Sequence, residues 1–111
     1  MKLSEAISLG AMLSPQAIGH FTDKNGGRCA WMSAVDAVGR EPHVWGRFGE
    51  WTWARRPATC PVCQGRRRVS DTIIHLNDRH RWSRQRIAEW VAEIEPTADT
   101  SRDGGELSLT C

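Results

Sequence analysis

The chain has 111 residues, 40% hydrophobic and 25% charged, an ordinary globular composition that excludes a low-complexity or strongly charged disordered polymer. No apolar run approaches the ~20 residues needed to cross a bilayer, and Met1-Lys2-Leu3-Ser4-Glu5 lacks the basic-then-apolar layout of a secretory signal, so a cytoplasmic protein is expected. The net charge of +2 hides an uneven distribution: residues 1–54 carry five Lys/Arg and five Asp/Glu, residues 55–86 carry nine Arg against Asp71 and Asp78, and residues 87–111 carry Arg102 against six acids.

The first predicted element is a helix over 3–13, where Ser4 is placed to cap and Leu3, Ile7, Leu9, Ala11, Met12 and Leu13 form a broad apolar face ending before Pro15. Asp23-Lys24-Asn25-Gly26 carries turn chemistry and predicts a small hairpin from His20 into Arg28-Cys29. A second helix is predicted over 29–38, with Ala30, Ala34, Ala37 and Val38 allowing close packing and Gly39 as its stop.

Between 41 and 57, Trp45, Phe48, Trp51 and Trp53 are interrupted by Gly46 and Gly49 and follow neither a strand nor a helix period, so irregular aromatic-rich structure is expected. Six Trp with two Phe and no Tyr favour rings that fill the core, the alternative being a stacking or interface surface.

Cys60-Pro61-Val62-Cys63 follows, then after eleven residues His75, and after four more His80. That order and spacing predict a two-Cys/two-His zinc site, with Gly65 permitting the tight turn that bends backbone amides towards a thiolate. A metal clip suits a chain this short, whose core alone supplies limited folding energy. A short helix capped by Ser70 or Asp71 would run through Ile73, Ile74 and Leu76 and present both imidazoles, with a loosened final turn at His80 and Asp78 as hydrogen-bond partner to an imidazole. Ser83 opens the last helix, with Trp82 before the cap and Ile87, Trp90, Val91 and Ile94 as its apolar stripe; Pro96 ends it. The polar tail 97–111 is expected to be disordered, with Cys111 a free thiol and Cys29 a packed small side chain.

Cys60, Cys63, His75 and His80 resemble the two-Cys/two-His zinc finger in ligand order, in Cys-x-x-Cys and in a helix bearing the histidines, with one residue fewer than usual between the pairs. The resemblance covers residues 60–80 and implies ββα packing, but Arg67 and Thr72 stand where the finger's core aromatic and leucine fall. It would place Arg68, Asp71 and Ile74 near base-facing positions; Ile74 offers no hydrogen bond, so sequence-specific DNA reading is not implied. A second resemblance, carried by Cys60-Pro61, Cys63, His75-Leu76-Asn77-Asp78, His80, Trp82-Ser83-Arg84, Ile87-Ala88 and Trp90-Val91, is to small uncharacterised proteins of bacteria and phages. It implies a mobile-element or accessory protein and raises zinc over catalysis.

The expected fold is therefore mainly α with a zinc knuckle and one short β-hairpin. A single zinc-binding domain spans 1–96, divided into an N-terminal helical part, 1–54, and the zinc segment with the last helix, 55–96. Three functional readings follow. In the first, a nucleic-acid-associated module, Arg55, Arg56, Arg66, Arg67, Arg68, Arg79, Arg81, Arg84 and Arg86 supply phosphate contacts while Trp51 or Trp53 stacks on bases. In the second, an adaptor or inhibitor docks its Arg/Trp-rich surface on an acidic protein. The third, a metal hydrolase or nuclease using His75, Asn77, Asp78 and His80, conflicts with a shell closed by four protein ligands, because a catalytic zinc keeps one position for water. A non-enzymatic binding or regulatory role is expected.

Overall fold

A computed structural model describes residues 1–39 and 51–96. Among them are four helices, α1 (Leu3–Leu13), α2 (Ala30–Gly39), α3 (Val69–Asp78) and α4 (Arg84–Ile94), and an antiparallel pair of strands, β1 (Pro57–Thr59) and β2 (Arg66–Arg68), between α2 and α3. Trp45, Phe48 and the tail from 97 onward, with Cys111, lie outside the described residues.

Leu3, Ala6, Ile7 and Gly10 recur at helical spacing and form the buried face of α1, packed on α2 and α4. Ser4 does not cap the helix. Lys2 holds the cap position and its N–H donates to Glu5 Oε1 at 3.1 Å, while Ser4 is buried and both its N–H and its hydroxyl donate to the carboxylate of Glu95, just past α4. A carboxylate from another helix thus satisfies an amide of the first turn of α1, where its negative charge suits the helix dipole.

The opposite end of α1 is held by Arg84, in the first turn of α4. Its buried guanidinium donates to the carbonyls of Ala11, Ser14 and Arg28 and, at 2.8 Å, to Ser33 Oγ in α2. α4 therefore runs antiparallel to α1 and brings a cation to its carbonyl end and an anion to its amide end. Gln85 adds a reciprocal pair midway, accepting from Ser8 Oγ and donating to Ser8 O.

α2 packs on α1 through Ala30, Ser33, Ala34, Ala37 and Val38. The approach is close enough that a Cβ at Gly10 would stand 1.9 Å from the Ser33 carbonyl oxygen. Cys29 lies just ahead of α2, and its sulfur accepts the Met32 N–H at 3.5 Å.

The hairpin expected over 20–29 is cut down to a turn with one antiparallel bridge, Thr22 to Arg28, where Asp23 N–H donates to Gly27 O and Cys29 N–H to Phe21 O; Arg28 also bridges Gln16. Two features divert the ladder. The Asp23 carboxylate accepts the N–H groups of Asn25 and Gly27, and Arg28 pairs its own backbone with Pro15 and Ala17. The hairpin forms instead around Cys60-Pro61-Val62-Cys63, with Pro57 opposite Arg68, Ala58 opposite Arg67 and Thr59 opposite Arg66.

α3 begins at Val69 with Arg68 in the cap position, ahead of both expected caps, Ser70 and Asp71, and the buried Thr72 donates its hydroxyl back to Arg68 O at 2.9 Å. Val69, Ile73 and Leu76 carry its apolar face into the common core with Leu3, Ile7, Ala34, Ile87 and Val91. Ser83 caps α4 as expected, accepting the Arg86 N–H at 3.1 Å. Ile87, Trp90 and Val91 are buried, whereas Ile94, at the helix end, is exposed. Trp51, in a short 3₁₀ turn, is 5% exposed and donates its indole N–H to Met1 O; Trp53 and Trp82 pack half-buried against the core. The chain is a small, mainly α single domain, and no helix among the described residues is long and apolar enough to cross a membrane.

Overpacking a closed helix contact typically costs about 1–3 kcal/mol. Gly10→Ala is expected to lower stability by about that amount, read from urea unfolding midpoints, whereas Met12→Ala on the exposed side of the same helix should leave the midpoint nearly unchanged.

Candidate metal centre

The turn between β1 and β2 folds back on itself. The Cys60 N–H donates to Gly65 O at 2.8 Å, the Cys60 carbonyl accepts from the Gln64 N–H at 3.0 Å, and Gln64 takes the left-handed conformation at φ 65°. Cys60 is buried and Cys63 exposed, and the two thiols meet the end of α3. His75 lies in the last turn of that helix; the helix ends at Asp78, and His80 hangs in the turn beyond it, before Arg81 at φ 54°. The four-residue gap between the histidines is thus absorbed by leaving the helix, so both rings converge although their spacing exceeds one turn.

One donor atom from each of Cys60, Cys63, His75 and His80 lies within 4.8 Å of all the others. Cys63 Sγ stands 3.4 Å from His75 Nε2, and the two imidazoles meet edge to face with centroids 4.7 Å apart. A tetrahedral ion held roughly 2.3 Å from sulfur and 2.0 Å from nitrogen separates its donors by roughly 3.3–3.8 Å. His80 Nε2 is buried without a hydrogen-bond partner, an expensive arrangement that a bound cation would relieve. The residues present fit a four-ligand metal.

The Cys63 thiol is lowered to about 5 by the Gly65 backbone N–H, with the imidazoles of His80 and His75 adding to it. A sulfur poised as thiolate at neutral pH is the form a metal binds. The Cys29 thiol, by contrast, is pushed up by burial and lies outside the cluster.

Asp78 takes a different role from the one its position suggests. Its Oδ1 accepts from Gly19 N–H and Asn77 Nδ2, which ties α3 to the loop after α1 instead of holding an imidazole. Asn77 is fully buried: its Oδ1 accepts from Gln16 Nε2 at 2.8 Å and Ala30 N–H at 3.1 Å, and its Nδ2 donates to Ala17 O at 2.7 Å. The signal for this knot was an amide in register with Ile73 and Leu76, on the face of α3 that must be buried.

Of the arginines expected at a partner surface, Arg55, Arg56, Arg66, Arg68, Arg79, Arg81 and Arg86 are exposed, Arg86 lying over the Trp82 ring at 3.9 Å. Arg67 is half-buried. Arg84 is withdrawn from any such surface, since its guanidinium is spent on internal carbonyls, and Trp51 is withdrawn as a core ring. Compared with family models, curated proteins and solved structures, the chain matches none, so the likeness to small bacterial and phage proteins receives no support there.

Native mass spectrometry is expected to find one divalent ion on the wild type and on Cys29→Ala, and none on Cys63→Ser or His80→Ala. The pH dependence follows from Cys63: the folded chain favours its thiolate, so that preference stabilises the fold fully above the ordinary value of 9.0 and is lost as pH falls through about 5. Metal affinity, followed by competition with a chromogenic chelator, should weaken as the pH falls, because protons compete with the metal for the Cys63 thiolate.

Proposed function

We propose that the chain is a non-enzymatic zinc-binding module with a binding or regulatory role, contacting nucleic acid through the arginines around its metal centre. Zinc is the ion that two thiolates and two imidazoles in a tetrahedral set suit best, and four protein ligands leave it no position for a reacting water. Its contribution is then to folding, because it clamps the hairpin to the end of α3.

The observation that carries the nucleic-acid reading is the set of exposed guanidinium groups along the hairpin and at the end of α3. Arg55 and Arg56 precede β1, Arg66 and Arg68 are the two ends of β2, and Arg79 and Arg81 stand on either side of His80. Arginine's planar fork suits phosphate, and several such groups held on a rigid hairpin and helix end lose little entropy on binding. The burial of Trp51 favours a second reading, docking on an acidic protein surface, because it removes one of the two rings that would stack on bases.

The test is a salt titration of oligonucleotide binding by the zinc-loaded protein. Affinity is expected to fall linearly with the logarithm of salt concentration, and Arg66→Ala or Arg79→Ala should each reduce the slope on duplex DNA by about 0.9. Absence of oligonucleotide binding at low salt would sink this reading in favour of a protein partner.

A further inference from the structure

At the end of the hairpin away from the metal centre lies a cavity of about 240 Å³ that the metal reading leaves unused. Its apolar wall is made by Trp31 and Trp51, which meet edge to face with centroids 5.8 Å apart. Its polar wall is made by the guanidinium-bearing Arg55 and Arg68 together with Thr52 and Ser70, and among the described residues no acid lines it. Neither arginine makes a side-chain hydrogen bond or ion pair among the described residues, so both donor forks are open to a ligand.

We infer that this cavity is a subsite for one unstacked nucleotide of a single strand, the base lying against the half-buried Trp31, which the buried Trp51 backs edge to face, and its phosphate between Arg55 and Arg68. The inference rests on the nucleic-acid reading above. Aromatic surface beside paired cations and hydroxyls is the combination that takes a flat ring carrying an anion: stacking is tolerant of base identity, and a guanidinium fork binds phosphate oxygens in pairs. The volume is small for a complete drug-sized ligand and suits a single base with its phosphate left at the rim. A duplex cannot use the site, because its bases are already stacked and paired. The strand would continue along β2, where Arg66 and Arg68 point outward on the path from cavity to metal centre.

Ser70→Glu tests this. It sets a carboxylate beside Arg55 and Arg68 in the first turn of α3, where a negative charge is compatible with the helix. In the zinc-loaded full chain, a short single-stranded oligonucleotide should bind Ser70→Glu about tenfold more weakly than wild type, while the matching duplex loses less than about twofold. On wild type itself, the single strand should shift the Trp31 indole N–H resonance, assigned by its disappearance in Trp31→Phe. Single-strand affinity unchanged by Ser70→Glu, or a Trp31 resonance that does not move, overturns the cavity as a nucleotide subsite and leaves nucleic-acid binding standing. Failure of both single strand and duplex to bind wild type overturns the two together.

Discussion

The buried guanidinium of Arg84 is the contact on which the arrangement of helices depends. It carries a full charge among carbonyls, with no carboxylate among the described residues in its hydrogen-bond shell, and burial pulls its pKa down without removing the proton. What compensates the lost hydration is the negative end of α1, through Ala11 O and Ser14 O, together with Arg28 O and the hydroxyl of Ser33. One side chain therefore fixes the end of α1, the loop entering α2 and α2 itself relative to α4. Glu95 completes the match at the other end of α1. An apolar residue at position 84 would leave those carbonyls buried and unmet, which is costlier than the loss of the hydrogen bonds themselves.

Asn77 does for α3 what Arg84 does for α4. Its amide is donor and acceptor at once, and it uses both ends to hold Gln16, Ala17 and Ala30, so the final turn of α3 cannot rotate without breaking several buried bonds. His75 lies two residues before it and His80 three residues after. The direction in which both imidazoles point is thus set from the N-terminal half of the chain, while Cys60 and Cys63 arrive from the hairpin. A metal at this junction would link the hairpin to a helix end already fixed by the core, and its binding free energy would count directly towards folding.

The parts of this design that are local in sequence were legible there. The Ser83 cap, the apolar stripe of α4, the alanine face of α2 and the four metal donors each depend on spacings of a few residues, or on thiols and imidazoles whose chemistry narrows their use. What escaped is non-local. Ser4 looks like a cap by type and position, but its partner is Glu95, and nothing within one helical turn distinguishes a cap from an interhelical donor. Arg84 reads as one more member of a basic run until the packing of α1 and α2 encloses it. The turn chemistry of Asp23-Lys24-Asn25-Gly26 was real and supports one antiparallel bridge, Thr22 to Arg28, but the Asp23 carboxylate takes the Gly27 N–H that the next rung needs, and the longer ladder forms at the cysteines.

The same enclosure explains why three consecutive arginines on β2 have different fates. A strand alternates its faces, so Arg66 and Arg68 stand in solvent on either side of the half-buried Arg67, opposite Ala58. Arg67 lies across the knuckle, where a Cβ at Gly65 would come within 2.9 Å of its guanidinium, and one of its terminal nitrogens is buried without a hydrogen-bond partner. Where a two-Cys/two-His finger fills this place with an aromatic ring, this chain covers the turn with an arginine stem, whose methylenes can pack while its charged head lies over Gly65. The residue that departs furthest from the finger pattern thus still covers the turn that carries two of the four donors.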